Sequence, residues 1–192
     1  NQLVRTRESY RARGLAVMIA DAGTNLAAAV AYMAKIKRPV TVIGTSRGTQ
    51  RAARGIAAGA RPDALVLTSG FLAPESGSSE NVVSILGSPA ALPRTLVIHH
   101  RKDGCRLTNP AGVEPFVKWA SGKARVAWLD GPIVDDGTAC EIGLFAQLLA
   151  SDAEQYRGIV AVVTDLRLQR RRGLAVGDGD GGAVSLEFDG EA

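Results

Sequence analysis

Few side chains in this chain could act together as nucleophile, acid or base. The candidates are Ser46, the adjacent pair His99 and His100, Asp103, and two cysteines, Cys105 and Cys140. Ser46 stands in the pentapeptide Gly44-Thr45-Ser46-Arg47-Gly48, a G-x-S-x-G pattern that forms a nucleophile elbow when a strand precedes it and a helix follows. Such a turn lifts the serine hydroxyl off the end of a strand. Its backbone is strained, at a cost of about 1–3 kcal/mol. Side chains two residues to either side would meet the neighbouring backbone, so Gly44 and Gly48 carry none. The helix begins beneath Ser46, and its free N–H groups face negative charge developing near the hydroxyl.

The surrounding text supplies both required elements. Val40 to Ile43 is a short apolar run that reads as a strand, and Ala52, Ala53 and Ile56 form a small-residue stripe on the helix that follows. Before it, residues 2–13 read as a helix ended by Gly14, Leu15 to Ala20 as a strand buried on both faces, and residues 25–37 as a helix capped by Thr24 and stopped by Pro39. Met33 and Tyr32 are read as core and rim residues of that helix. After the elbow come a strand over Ala64–Thr68 and a Pro-, Ser- and Gly-rich stretch from Phe71 to Leu92 with one helical turn near Val82–Leu86. A loop of that length is usually functional, and here it could edge a substrate pocket. A strand over Thr95–His99, a helix opened by Asn109-Pro110 and a strand over Arg125–Leu129 complete the periodic part. Residues 143–150 read as helical, residues 159–164 as a strand, and residues 166–192 as a low-order tail rich in Gly and charge.

Alternating strands and helices predict an α/β fold with a mainly parallel sheet and helices on both faces. Ligands bind such sheets outside the carboxyl ends of the strands. Ser46, Asp103 and the loop after Leu129 all fall at such ends. A chain of 192 residues is long enough for one sizeable core. A net charge of +4, spread along helices apart from Arg170-Arg171-Arg172, points to a solvated basic face and gives no nucleic-acid surface. No apolar run reaches the length of a membrane span. Neither a metal nor a cofactor is implied by the residue pattern.

GTSRG after VTVI, HHRKDGCRLTNP after TLVI, and the strand KARVAWLDG together resemble the α/β-hydrolase superfamily, in its small, lid-poor bacterial members. The resemblance covers about residues 1–141 and implies a three-layer α/β-hydrolase-like sandwich, here incomplete, over residues 1–165. In that superfamily the nucleophile follows the fifth strand, the acid the seventh and the histidine the eighth. Ser46 matches the nucleophile and Asp103 the acid, in the family's chain order. The backbone N–H of Arg47 matches one oxyanion donor, and such a donor is worth roughly 3–4 kcal/mol. Asp103 also suits its Lys-Asp-Gly turn for local reasons, because Asp bonds its own backbone there. Asp130, Asp135 and Asp136 are rivals near the next strand end.

This sequence departs from the family in two places. The second oxyanion donor would come from a loop before Asn1, and no histidine follows Leu129. His100 and His99 are then the remaining candidates for the base, although a histidine closing a strand is more often a packed residue. The chain therefore reads as starting late in the fold, with a C-terminus after about Glu141 altered by a frame shift or gene decay. The resemblance also implies a bridge from Cys105 to Cys140, pinning the acid loop to the base loop. A periplasmic or secreted location would follow from that bridge, and a cytoplasmic one from two free thiols.

The functional expectation is a serine hydrolase acting on an ester or related acyl bond of a small molecule, through an acyl-enzyme at Ser46. The alternative is a catalytically impaired or non-catalytic remnant of the same fold, lacking the triad histidine. A phosphate-binding reading of GTSRG is disfavoured, because the stretch lacks the Lys-Ser/Thr of a P-loop.

Overall fold

The computed structural model describes residues 7–21 and 23–130, and the backbone of residues 160–165. Its elements are α1 (Arg7–Ala12), β1 (Leu15–Ala20), α2 (Leu26–Ile36), β2 (Val40–Thr45), α3 (Arg47–Ala57), β3 (Ala64–Thr68), α4 (Val82–Leu86), β4 (Arg94–His100), α5 (Val113–Trp119), β5 (Ala124–Leu129) and β6 (Val160–Asp165). The tail after Asp165, the helix expected over residues 143–150, Asp135, Asp136 and Cys140 lie outside the described residues.

Six strands form one sheet in the order β1-β6-β2-β3-β4-β5. Strands β2 to β5 are mutually parallel, as an α/β fold requires, and β6 runs antiparallel to both of its neighbours, β1 and β2. The apolar run Leu15–Ile19 is only half-buried, against the expectation of a strand covered on both faces. Leu15, Val17 and Ile19 lie on the face away from the main core, and among the described strands β1 ends the sheet beside β6.

The core lies where four helices meet one face of the sheet. Met33 and Val30 of α2, Ala52, Ala53 and Ile56 of α3, Val82 of α4, and Val113 and Phe116 of α5 pack with Val40, Val42, Leu65, Leu67 and Val97. These strand residues alternate along each strand, so they share a face. Burying Phe116 or Ile56 fully is worth about 1.5–3 kcal/mol each. The small-residue stripe of α3 lets it approach closely, and a Cβ on Gly55 would overlap the Leu26 side chain of α2. Leu15, Val17, Ile19 and Ile43 point to the opposite face as a smaller cluster.

Two local readings change. Asn25, not Thr24, caps α2, its Oδ1 accepting from the Ala28 N–H at 3.1 Å. Thr24 is already engaged, donating its hydroxyl to Asp21 Oδ1 at 2.8 Å. Met33 is core and Tyr32 is exposed, in keeping with the core and rim reading of that pair. The stretch from Phe71 to Leu92 is well anchored: Phe71, Leu72, Val82 and Leu92 are buried, and the Val82 N–H donates to Phe71 O at 2.8 Å. The helical turn over Val82–Leu86 is present, capped by Asn81 and Ser84 in a reciprocal box. Among the described residues, no helix is long and apolar enough to cross a membrane.

Candidate active site

Ser46 is the hinge between β2 and α3. Its backbone takes φ 52° and ψ −121°, a left-handed combination that side chains rarely adopt. The strain is held from three sides. The Ser46 N–H donates to Thr68 O at 3.0 Å, across to the end of β3. The Ser46 carbonyl accepts from the Thr49 N–H at 2.9 Å and from Thr49 Oγ1 at 2.7 Å. Thr49 Oγ1 in turn accepts from the Phe71 N–H at 3.1 Å, fastening the loop after β3 to the turn. Glycine is required at position 44 because a Cβ there would stand 2.6 Å from Gly48 O and 2.8 Å from Gly48 C. The backbone crowding expected around the pentapeptide is present at Gly44. Gly48 lies buried in the first turn of α3.

Ser46 is half-buried, and its hydroxyl caps no helix N–H. It makes no hydrogen bond among the described residues. The Arg47 N–H, first in α3, has no intrahelical acceptor, as expected at a helix start. It faces the same end of the helix as the hydroxyl and could receive an oxyanion.

Asp103 lies in the loop after β4, two strands away from β2. Two strand spacings amount to about 10 Å. The Asp103 side chain is 2% exposed. Its Oδ1 accepts from the Cys105 N–H at 3.0 Å and its Oδ2 from Thr108 Oγ1 at 3.2 Å. Its own N–H donates to His100 O at 3.2 Å. A buried carboxylate held this way is fixed in orientation. The rival Asp130 is different in kind: its side chain is 73% exposed and pairs with Arg101 at 3.2 Å.

His99 and His100 end β4 and project to opposite faces, both essentially buried. His99 shares the core face with Val97 and lies opposite Trp128 in register, the two ring centroids 6.2 Å apart. His99 Nδ1 stands 3.2 Å from His100 O, a geometry in which the imidazole donates, and 4.0 Å from Asp103 Oδ2. His100 Nδ1 accepts from the Lys102 N–H at 3.0 Å. Neither Nε2 has a hydrogen-bond partner among the described residues, and neither imidazole bonds Ser46. The structure therefore brings His99 beside Asp103 but, among the described residues, joins neither imidazole to Ser46. Cys105 is buried in the acid loop, and its bridge partner in the resemblance, Cys140, falls outside the described residues.

An open groove of about 410 Å³ lies alongside the elbow. Arg47, Gln50, Arg51 and Arg54 of α3 form one wall, and Phe71, Ser78, Glu80 and Leu107 from the loops after β3 and β4 form the other. Arg54 pairs with Glu80, and Gln50 Nε2 donates to Glu80 O at 2.6 Å. Arg51 donates to Ala20 O at 3.1 Å and also to Asp21 O. Burial draws its pKa below the ordinary arginine value, opposed by the charge of Asp21. Sequence reading missed Thr49 and the arginine wall. The signal was there: a threonine three residues after the serine, and arginines at 47, 51 and 54, spaced for one helix face.

No protein-family model matches the chain, and no curated protein or solved structure is significantly similar to it.

Proposed function

We propose that this chain is a serine hydrolase-like protein of the α/β-hydrolase type, cleaving an ester or related acyl bond of a small molecule. The carrying observation is the elbow: a serine at φ 52° directly before a helix, with a glycine two residues earlier whose Cβ would collide with Gly48 O. In this reading Ser46 Oγ attacks the acyl carbon, its proton passes to a base, and the Arg47 N–H donates a hydrogen bond to the carbonyl oxygen as it becomes negative. The carbonyl re-forms as the alcohol leaves with that proton. Water then attacks the acyl-enzyme and releases the acid. Asp103 orients the base.

A second reading has its own support. Both imidazoles are held within β4 with Nδ1 engaged by backbone, and Ser46 has no imidazole partner among the described residues. This favours a protein that keeps the elbow and has weak or no turnover. Without a base, residual acceleration is about 10³–10⁴ over water. A fluorophosphonate probe separates the two. Labelling that disappears in Ser46→Ala supports the hydrolase; folded protein that takes no label supports the non-catalytic reading.

A further inference from the structure

Three non-glycine residues have a positive φ among the described residues: Ser46, Ser69 and Ser121. Ser46 is the elbow. Ser121 has a local reason: it lies exposed in the turn after α5, and its hydroxyl donates to Trp119 O at 3.2 Å. Ser69, at φ 39°, has no such account. It is 3% exposed, and its hydroxyl makes no hydrogen bond among the described residues. Glycine takes such a backbone without steric cost and buries no hydroxyl, so the fold gains nothing from a serine here. Strained residues of this kind cluster at functional sites.

Ser69 also stands beside Ser46. Thr45 and Thr68 are the last register pair of β2 and β3, and their hydroxyls meet at 2.7 Å. Ser46 and Ser69 are the next residue of each strand, tied by the bond from the Ser46 N–H to Thr68 O. Neighbouring strands run about 4.8 Å apart, a spacing that two short hydroxyl side chains bridge. Gly70 keeps this corner tight, since a Cβ there would stand 2.7 Å from Thr49 Cγ2 in the first turn of α3.

We propose that Ser69 is a positioning residue of the Ser46 site, its hydroxyl donating a hydrogen bond to Ser46 Oγ. Rotation about χ1 between staggered wells brings the two oxygens together. The bond leaves the Ser46 proton for the base and stabilises the oxygen as that proton departs, because hydrogen bonds to ionised acceptors are the stronger ones. No covalent bond to Ser69 forms or breaks. The role rests on the hydrolase reading.

Two variants test it. Ser69→Ala removes the hydroxyl and keeps the strain; Ser69→Gly removes both. The rate of fluorophosphonate labelling at saturating probe should fall about tenfold in each, with the half-saturating concentration unchanged. Ser69→Gly should melt at or above the temperature of the unsubstituted protein, so that rate and stability part company. Unchanged labelling rates in both variants overturn this inference alone. So does a loss of rate confined to the variant that melts lower, or a Ser69→Gly protein that melts below the unsubstituted one, since the serine would then serve the fold. Folded unsubstituted protein that takes no label overturns the hydrolase reading, and the role of Ser69 falls with it.

Discussion

The Ser46 N–H is bonded to the carbonyl of Thr68 at 3.0 Å, so the turn that presents the hydroxyl is fastened to the last residue of the neighbouring strand. Ser69, the next residue, has φ 39° and donates its N–H to Ile98 O at 3.2 Å, on the strand beyond. Successive strand ends are thereby stitched across the sheet from the Ser46 turn towards β4.

Crowding at the elbow gives the first prediction. Gly44→Ala places a methyl group against backbone atoms of Gly48 and Thr49 that have no rotamer to change. Overpacking of this kind costs typically 1–3 kcal/mol. The expected outcome is a lower urea midpoint together with loss of fluorophosphonate labelling at Ser46. Full labelling with unchanged stability would show that the turn is looser than its geometry implies.

Asp103 should behave as an anchor whatever its catalytic part. Asp103→Ala strands the Cys105 N–H and the Thr108 hydroxyl in a buried loop, each at roughly 1–3 kcal/mol. Asp103→Asn keeps an acceptor for the Cys105 N–H and should lose distinctly less. Chemical denaturation of the two variants checks the order. If Asp103→Asn keeps its fold yet loses acyl transfer, the carboxylate's charge is the catalytic part.

For His99 and His100 the geometry predicts stability effects ahead of chemical ones. His99→Ala opens a cavity against Trp128, and large-to-small changes of this size cost about 2–5 kcal/mol. His100→Ala removes the acceptor of the Lys102 N–H. Labelling of Ser46, measured below each variant's melting point, should persist in both. Abolition of labelling in one folded variant would identify that imidazole as the base.

Acid should loosen the turn that precedes α2. The Asp21 carboxyl is held below the usual carboxylate range, chiefly by the Thr24 hydroxyl and next by the Gly23 N–H. A depressed native pKa contributes stability that is full above the unfolded value and is lost as pH falls through the native one. Carboxyl NMR titration should therefore place Asp21 below its value in unfolded protein. Thr24→Val should move it back towards that value. No movement in Thr24→Val would assign the shift to the backbone donor instead.

Much of this arrangement was legible in the sequence because its signals are local. Glycine at 44 and 48 around a serine, apolar runs of strand length and the helical turn at Val82–Leu86 each depend on neighbours a few residues away. The parallel strands β2 to β5 followed from alternation with helices. What could not be read depends on distant pairing. Nothing in Leu15–Ile19 says that the strand closes one end of the sheet, and an unbroken apolar run suits a central strand equally well. Nothing in residues 160–165 says that they part β1 from β2. Thr49 looks like an ordinary helical residue until Phe71 is brought to it. The arginine wall became a groove only when the loops after β3 and β4 closed its far side.

The position of β6 also has a consequence for how the protein is made. Its backbone pairs with the elbow strand from Val40 to Gly44, yet it is encoded 116 residues after Gly44, at Val160. A ribosome working from the N-terminus therefore releases β2 with one edge open, and that edge stays unpaired until β6 emerges. Chains dominated by such distant pairings fold slowly, and an open strand edge invites pairing with other chains. The strand leading into Ser46 is thus fully paired only after a further 116 residues have been made.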